Sequence, residues 1–223
     1  MGKKLFAIIV LVMVASLSIA GCTSSTRSNQ VSFRKIVCIG DSITWGGYTS
    51  PTYPELLQTR LNNVSSGWTV INEGLNGNTT AQMLARFQTD VVVKNPQYVV
   101  IMGGANDPSS ATTESYIDAM CKLAVANGIT PIIMMMTPDG QHSINVNKWE
   151  SSYAAASRYN IIDSYTPLND PNNPGNLLPA YVDHTIHPNA LGFTALVNSI
   201  NLAVFGPRPT TTSVSSGDTD FAR

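Results

Sequence analysis

The amino-acid sequence predicts an α/β protein, a three-layer α/β/α sandwich built on a parallel sheet of about five strands. Three observations lead to this prediction. Short apolar runs alternate with longer amphipathic segments, which is the pattern of parallel strands joined by helices. Most of the apolar runs are almost continuously hydrophobic, as strands buried on both faces are. The chain has 223 residues, of which 43% are hydrophobic and 12% charged, so it can bury one large core.

Five short apolar runs have the length of a typical β-strand and are predicted to form the sheet. The strands comprise residues 35–39, 68–72, 98–103, 130–136 and 160–163. The predicted helices are the longer segments between and after them, residues 54–64, 79–93, 113–127, 149–159 and 188–205. The second helix carries Met83 and Phe87 at helical spacing, whereas the fourth has a weaker pattern. The last helix has Pro188 in its first turn and ends before Gly206.

The start of the chain has the pattern of an export signal. Two lysines precede an uncharged apolar run, residues 5–20, which is followed by Gly21 and Cys22. This ending resembles the lipobox of bacterial lipoproteins, in which the cysteine receives a diacylglyceryl group and becomes the new N-terminus. The resemblance implies a signal peptide over residues 1–21 and a lipoprotein anchored to a membrane of the cell envelope through Cys22, facing outside the cytoplasm. The alternative is an uncleaved signal anchor, because the run is nearly long enough to span a bilayer.

The remaining chain divides into a tether, one domain and a tail. Residues 22–30 are polar and rich in Ser and Thr, residues 31–207 carry all predicted elements, and residues 208–223 form a polar tail that we expect to be disordered. The 13 Lys and Arg against 14 Asp and Glu leave no basic surplus, so no nucleic-acid partner is expected. Cys38 and Cys121 are interpreted as small buried residues, although an exported compartment permits a disulfide between them.

Functional side chains are expected in the loops after the strands, because ligands of parallel α/β sheets bind outside the carboxyl ends of the strands. The first such loop is GDSIT, residues 40–44. At a strand-to-helix turn, Ser42 can present both its hydroxyl and its backbone N–H, so one residue supplies a nucleophile and an oxyanion donor. The alternative is an ordinary capped turn, because Asp and Ser are common N-cap residues.

The next two loops contain candidate oxyanion donors. Residues 72–79, NEGLNGNT, have glycines that let the backbone approach a ligand, and a helix begins at their end. Residues 103–107, GGAND, offer the side-chain amide of Asn106. Taken alone, each loop also fits an ordinary turn rich in Gly and Asn. The dinucleotide-binding pattern G-x-G-x-x-G is absent from the sequence.

A late segment, DHTIHPN at residues 183–189, supplies the candidate base. His187 precedes Pro188, which biases it away from helical dihedrals and places it at a helix entrance. It can serve as general base for Ser42, with Asp183 orienting its ring and stabilising the imidazolium. The alternative is a metal site formed by Asp183, His184 and His187, although no further histidine or cysteine cluster supports it.

Together these four segments resemble the SGNH/GDSL hydrolase family of esterases and lipases. The matching blocks are GDSIT, LNGNT, GGAND and HPN, and they occur in the family's order. The resemblance implies that Ser42 is the nucleophile, Gly77 and Asn106 are the oxyanion donors, and His187 is the base. It also implies a flavodoxin-like three-layer fold, ester hydrolysis through an acyl-enzyme, and no cofactor.

The last block departs from the family's D-x-x-H pattern. Three residues separate Asp183 from His187, and His184 stands where the family's acid would stand. Asp163, after the fifth predicted strand, is a poorer candidate for orienting His187. The assignment of Asp183 as the acid therefore depends on how the chain accommodates the additional residue.

Trp45 and Tyr48 follow the candidate nucleophile and bear on the substrate. They can place aromatic faces near the site, which suits sugars and acyl chains, or they can serve only in packing. No long apolar insertion indicates a lid or a lipid tunnel. The expected substrate is therefore a small acyl ester, such as an O-acetyl group on a carbohydrate. The alternatives are a lysophospholipase-like lipid esterase and a surface-anchored binding lipoprotein without turnover, and the presence of all four block residues favours an enzyme.

Overall fold

The computed structural model describes residues 34–206. Its centre is a parallel sheet of five strands in the order β2-β1-β3-β4-β5. The strands are β1 Arg34–Gly40, β2 Trp68–Gly74, β3 Tyr98–Met102, β4 Thr130–Met134 and β5 Asn160–Ile162. The predicted α/β fold with a five-stranded parallel sheet is confirmed. Because the strands are parallel, the loops that follow them emerge at one edge of the sheet.

The central strands are buried on both faces, which explains their continuous hydrophobic runs. In β1, Ile36 and Cys38 belong to the hydrophobic cluster on one face of the sheet, whereas Val37 and Ile39 belong to the cluster on the other. All four side chains have no exposed surface. A strand that is covered by helices on both faces has no polar face, so polar and apolar residues do not alternate along its sequence.

Helices cover both faces of the sheet. Within residues 34–206 the α-helices are α1 Ser42–Trp45, α2 Tyr53–Val64, α3 Thr80–Ala85, α4 Phe87–Asp90, α5 Ser110–Ala126, α6 Gly140–Ser157 and α7 Ala190–Ser199. Helices α2 and α7 bury Leu57 and Phe193 in the same cluster as Ile36. Helices α3, α5 and α6 bury Met83, Met120 and Ala154 against the opposite face. This arrangement gives the three layers.

The predicted helix over residues 79–93 is instead interrupted at Arg86. This residue ends α3 and precedes α4, with a φ of −100° and a ψ of 2° that leave the helical region. The break turns the chain so that Phe87 and Val91 are both fully buried. A short 3-10 turn, Val92–Lys94, completes the segment. The break could not be predicted from the spacing of apolar residues, because α3 and α4 both bury side chains against the same face of the sheet.

The predicted fourth helix, residues 149–159, begins nine residues earlier in the structure, at Gly140. Its first half lacked an apolar pattern because polar side chains occupy its inner face. Ser143, Asn147 and Glu150 are all buried. The Asn147 amide exchanges hydrogen bonds with the main chain of Met136, at 2.8 and 2.9 Å. Binary patterning therefore missed the start of a helix whose buried face combines Val146 with polar side chains, of which Ser143 and Asn147 form hydrogen bonds.

The last predicted helix, residues 188–205, is shorter than expected at both ends. Pro188 lies in a two-residue strand, Asn189 is the N-cap of α7, and a 3-10 turn at Leu202–Phe205 follows the helix. The strands β6 Val182–His184 and β7 His187–Pro188 form a small antiparallel hairpin that the sequence did not predict. Strands of three and two residues are too short to give a hydrophobic pattern.

Cys38 and Cys121 are both buried, as predicted, and they form no disulfide with each other. They lie in the clusters on opposite faces of the sheet, so the sheet itself separates them. No helix among residues 34–206 is long and apolar enough to cross a membrane. The predicted signal peptide, Cys22, the tether and the polar tail lie outside the described residues.

Candidate active site

The first loop holds Ser42 in a tight turn between β1 and α1. A Cβ atom on Gly40 would lie only 1.9 Å from Thr44 Oγ1 and 2.7 Å from the carbonyl oxygen of Met102, so no side chain fits there. The Asp41 carboxylate caps α1 by accepting a hydrogen bond from the backbone N–H of Ile43 at 3.0 Å. Ser42 is the first residue of the helix and is 5% exposed. Ser42 is therefore a largely buried residue within a capped turn.

His187 reaches Ser42 across the top of the sheet. Its Nε2 atom lies 3.0 Å from Ser42 Oγ, although the two residues are 145 positions apart in sequence. Its Nδ1 atom lies 3.2 Å from the main-chain carbonyl oxygen of His184. A carbonyl oxygen can only accept, so Nδ1 carries the proton and Nε2 presents a lone pair to the serine hydroxyl. This is the tautomer that a general base requires.

The pKa of His187 lies below its ordinary value, chiefly because burial disfavours the charged ring. The hydrogen bond to the main chain of His184 raises this pKa, the charge of the His184 ring lowers it, and the carboxylates of Asp183 and Asp139 raise it. Burial also raises the pKa of the Asp41 carboxyl to about 6. The site therefore favours a neutral, proton-accepting His187 at neutral pH.

The second loop carries Gly77 and is tied to the first. Gly77 has a φ of +73°, a left-handed conformation that favours glycine. The backbone N–H of Leu75 donates to the carbonyl oxygen of Gly40 at 3.1 Å. Arg86 fastens the two loops through its guanidinium, which donates to the carbonyl oxygens of Gly40 and Glu73 at 2.8 and 2.9 Å.

The third loop places Asn106 beside the second. Its side-chain amide donates to the carbonyl oxygen of Asn78 at 3.0 Å, and one further N–H of the amide group remains for a ligand. Asp107 accepts hydrogen bonds from the backbone N–H of Thr80 at 2.9 Å and from the Thr113 hydroxyl at 2.8 Å. These contacts bring Ser42, Gly77, Asn106 and His187 to one end of the sheet.

Asp183 does not contact His187 among the described residues. Its side chain is 38% exposed, and its Oδ2 atom lies 3.7 Å from His184 Nδ1. The register of the hairpin shifts between Val182 and His184, because Val182 pairs with Pro188 and His184 with His187, so Asp183 is the residue left without a partner on β7. The ring of His184 stacks on the ring of His187, with centroids 4.8 Å apart. The hairpin therefore accommodates the residue that the DHTIHPN segment has in addition to the family's D-x-x-H spacing.

The metal alternative finds no support in the geometry of residues 34–206. Within them, no group of three or more His, Cys, Asp or Glu side chains converges in a way that could hold a metal ion. The one close pair in the segment is Asp183 with His184, at 3.7 Å. Nε2 of His187 is directed at the serine instead.

Trp45 and Tyr48 form an aromatic wall beside the histidine hairpin. The ring of Tyr48 meets those of His184 and His187 edge to face, with centroids 4.3 and 4.7 Å apart. Trp45 meets Tyr48 in the same way at 5.4 Å. The Trp45 and Tyr48 side chains are 38% and 43% exposed, and both line a groove of about 380 Å³. The two residues therefore present aromatic surface to solvent next to the base.

A much smaller cavity lies next to the turn that holds the nucleophile. It is lined by the two neighbours of Ser42 in sequence, by the residue before Asn106 and by the ends of β3 and β4, namely Asp41, Ile43, Met102, Gly103, Ala105, Met136 and Thr137. The volume of this cavity that is open to the centre of a water-sized sphere is about 10 Å³. The side chains of Met102 and Met136 are almost fully buried, so its walls are packed against the core.

Sequence reasoning missed the residues that brace these loops. Arg86 was read as an ordinary helix residue, and His142 lay in a segment that gave no helical pattern. His142 Nε2 lies 3.0 Å from the carbonyl oxygen of Gly104, which supports the third loop. Asp139, at the N-cap of α6, faces His187 closely enough to raise its pKa. None of these residues left a signal in the sequence, because most of their partners are main-chain carbonyl groups.

The sequence profile of the GDSL-like Lipase/Acylhydrolase family matches residues 38–195, which contain all four blocks. The chain belongs to this family. The predicted resemblance to GDSL hydrolases is thereby confirmed.

Individual relatives are more distant. The chain is 27% identical over 159 residues to the uncharacterized lipoprotein YqeF of Bacillus subtilis, covering 56% of this chain and 65% of YqeF. It is 32% identical over 96 residues to an acetylxylan esterase of Geobacillus stearothermophilus, covering 33% of this chain and 39% of the esterase. The chain thus spans less than two thirds of these relatives. A GDSL-like lipase structure from Bacteroides thetaiotaomicron has a TM-score of 0.65 and 26% identity, with 77% of this chain and 87% of that one covered.

Proposed function

We propose that this protein hydrolyses esters, with Ser42 as nucleophile and His187 as general base. The observation that carries the proposal is the 3.0 Å contact between Ser42 Oγ and His187 Nε2. A serine hydroxyl is a weak nucleophile at neutral pH, and a base within hydrogen-bond distance activates it. Membership of the GDSL-like lipase/acylhydrolase family supports the same reaction class.

His187 relays one proton in each half of the reaction, first from Ser42 to the leaving alcohol and then from water back to Ser42. As Ser42 Oγ attacks the ester carbonyl carbon, its proton moves to Nε2 and the carbonyl oxygen becomes an oxyanion. The backbone N–H of Gly77 and the side-chain amide of Asn106 donate hydrogen bonds to that oxyanion. When the intermediate collapses, the alcohol leaves with the proton from Nε2. Water then attacks the acyl-enzyme with the same base, releasing the acid and free Ser42.

The acyl group of the substrate is small in this proposal. The cavity beside Ser42 leaves about 10 Å³ for the centre of a water-sized group. A space of about 10 to 15 Å³ by this measure holds one water molecule, which is close to the size of a methyl group. We expect this space to accept an acetyl methyl at most, whereas longer acyl chains require the buried side chains of Met102 and Met136 to move.

The alcohol part of the substrate is a carbohydrate in this proposal. The groove beside His187 is lined by the aromatic rings of Trp45 and Tyr48 together with the polar side chains of Thr49 and Glu55. Sugar rings combine apolar faces with hydroxyl edges, so a groove of this composition suits them. The acetylxylan esterase among the relatives supports an acetylated carbohydrate as the substrate class.

The proposed location is the cell envelope, with a membrane anchor attached to Cys22. The lipobox pattern supports this location, as does the relative YqeF, which is described as a lipoprotein. The intact mass of protein extracted from membranes tests the anchor. Wild-type protein should carry a diacylglyceryl adduct, and the Cys22→Ser variant should carry none and stay active. Wild-type protein without the adduct would exclude the anchor and leave the ester-hydrolase proposal standing.

The substrate proposal is tested with p-nitrophenyl acetate, butyrate and octanoate, and with an acetylated xylo-oligosaccharide. Acetyl esters should give the highest kcat/KM, with a steep fall at octanoate. The Met136→Ala variant should shift the preference towards butyrate, whereas Met135→Ala, one residue earlier and outside the cavity lining, should not. A preference for octanoate would indicate a lipid esterase. Folded protein that hydrolyses none of these esters would favour the binding lipoprotein.

A further inference from the structure

We propose that His187 is oriented by the main-chain carbonyl of His184 instead of by a carboxylate, so that Ser42 and His187 act as a dyad. The inference rests on the proposed ester hydrolysis and concerns how its base is positioned. Asp183, the acid that the sequence predicts, is then dispensable. His184 becomes a positioning residue through its backbone, and its side chain takes no part in the proton transfer.

The first argument is the hydrogen bond at Nδ1. The carbonyl oxygen of His184 lies 3.2 Å from His187 Nδ1 and occupies the position that a triad carboxylate would take. It fixes the same tautomer, because Nδ1 must be the donor. It also fixes the direction of the ring, since Nε2 then points at Ser42 Oγ. Orientation and tautomer, two of the functions of a triad acid, are therefore supplied without a charge.

The second argument is the hairpin that holds this carbonyl. His184 and His187 are directly opposite each other on the antiparallel strands β6 and β7. The turn between them contains Thr185 in a left-handed conformation, with a φ of +50°. Asn189 further fixes the base of the hairpin, because its side chain donates to the carbonyl oxygens of Ala180 and Val182 at 2.9 and 3.3 Å. The carbonyl of His184 is thus presented by a closed, hydrogen-bonded ribbon.

The third argument is the distribution of charge around the imidazole. Asp183 and His184 of β6 and Asp139 before α6 influence its charge, and the ring of Tyr48 packs on it from the first loop. None of these side chains forms a hydrogen bond to His187 among the described residues, where its partners are His184 O and Ser42 Oγ. The imidazolium formed during attack is therefore stabilised by a carbonyl dipole and by two carboxylates at longer range.

The first test removes the two carboxylates. Asp183→Asn, Asp139→Asn and the double variant should each keep kcat/KM for p-nitrophenyl acetate within roughly 10-fold of wild type, whereas loss of a true triad acid costs about 10,000-fold. A fall of more than about 100-fold in Asp183→Asn or Asp139→Asn, with an unchanged circular dichroism spectrum, would identify that residue as the acid and overturn the dyad.

The second test uses the ring of His187 directly, without turnover. In wild-type protein, nitrogen-15 NMR should show the proton of neutral His187 on Nδ1, and the pKa of the ring should change little in Asp183→Asn. A fall in that pKa of more than about one unit in Asp183→Asn would contradict the proposal. Because this measurement needs no substrate, it decides the role of Asp183 even if the protein hydrolyses no ester.

The third test restores the family's spacing. His184→Asp places a carboxyl group three positions before His187, which creates the D-x-x-H pattern. A carboxylate at this position should raise the pKa of His187 by about one unit or more and move the acid limb of the kcat/KM profile to higher pH. His184→Asn is the matched control, because it removes the same imidazole, whose charge lowers the pKa of His187; only the additional shift in His184→Asp reports the carboxylate. If the pKa of His187 rises equally in His184→Asp and His184→Asn, or in neither of them, the added carboxylate has no effect. Either result would contradict the proposal that wild-type His187 lacks a neighbouring carboxylate.

Discussion

The two sides of the candidate site differ in how the chain holds them. The oxyanion side, formed by the loops after β1, β2 and β3, is braced by buried or half-buried side chains. Arg86 joins the first loop to the second, and Asp107 joins the third loop to α3. The histidine side is a hairpin of three and two residues, in which the side chains of Asp183 and His184 are 38% and 48% exposed.

This difference explains where the chain departs from its family. An additional residue in a braced loop would break several hydrogen bonds to buried groups, each of which is expensive to leave unpaired. An additional residue in a short exposed hairpin changes only the face on which the neighbouring side chains lie. The oxyanion side therefore keeps the family's blocks unchanged, whereas the histidine side accommodates an altered spacing and a different partner for the base.

The largest effect should separate the two histidines of the hairpin. His187→Ala should lower kcat/KM by at least about 10,000-fold, because the proton acceptor for Ser42 is gone. His184→Ala should stay within roughly 10-fold of wild type, because alanine retains the main-chain carbonyl that orients His187. Steady-state hydrolysis of p-nitrophenyl acetate by the two variants measures the contrast. Comparable losses in both would mean that the His184 ring has a chemical role.

A smaller effect is expected on the oxyanion side. Asn106→Ala should lower kcat by about 100 to 1,000-fold, the result of losing one oxyanion donor, with much less change in KM. Asn127→Ala is a suitable control, because that amide donates only to the carbonyl oxygen of Leu123 at the end of α5. A change confined to KM would show that Asn106 binds the ground state instead of the oxyanion.

The hydrogen bonds of Arg86 to the first and second loops should contribute to both activity and stability. Arg86→Gln removes hydrogen bonds to two main-chain carbonyls and should lower the free energy of unfolding by about 2 to 4 kcal/mol. It should also lower kcat/KM by about 10-fold, because the first and second loops lose their common anchor.

Lys122→Gln provides the control for that variant. Arg86 and Lys122 each form a salt bridge with an aspartate four positions away, Asp90 and Asp118 respectively, but the Lys122 side chain is 71% exposed and forms no bond to a loop. Its substitution should leave the melting temperature unchanged. Equal losses in the two variants would mean that the helical ion pair, and not the contact with the loops, determines the effect.

The smallest effect concerns the buried cap of the nucleophile turn. The pKa of Asp41 is about 6 in the folded protein, above its ordinary value of 3.8, so the native state binds more protons between these pH values. The free energy of unfolding should therefore fall as pH rises through this window, by up to about 3 kcal/mol from this group. Asp41→Asn keeps the cap and should remove that part of the fall. Urea denaturation at pH 4 and pH 7.5 compares the two proteins, and identical pH dependence would contradict the assignment.

The oxyanion side could be anticipated from sequence to a large extent. Three of the four blocks directly follow strands, and the parallel sheet brings their loops together. Each loop alone also fits an ordinary turn, so the roles of Ser42, Gly77 and Asn106 were predicted from the resemblance of all four blocks to the family. Arg86 was not assigned a role, because its partners are main-chain carbonyls of Gly40 and Glu73. Carbonyl groups are present at every residue, so no sequence pattern marks the ones that an arginine will reach.

The histidine side was predicted only in part. His187 was identified from its block, and the structure places it 3.0 Å from Ser42. Whether Asp183 would contact His187 could not be judged from sequence. The answer depends on the register of a hairpin whose strands are too short to show a hydrophobic pattern. The polar part of the inner face of α6 was missed for a related reason, since Ser143 and Asn147 are fastened there by hydrogen bonds.

The most direct test of the central claim is covalent labelling with a fluorophosphonate followed by mass spectrometry of the peptides. Such a reagent reacts with a serine that a neighbouring base has activated. We expect a single adduct on Ser42 in the wild-type protein, slower labelling of the same residue in Asn106→Ala, and neither adduct nor ester hydrolysis in folded Ser42→Ala. An adduct on any other residue, or undiminished turnover in Ser42→Ala, would contradict the mechanism.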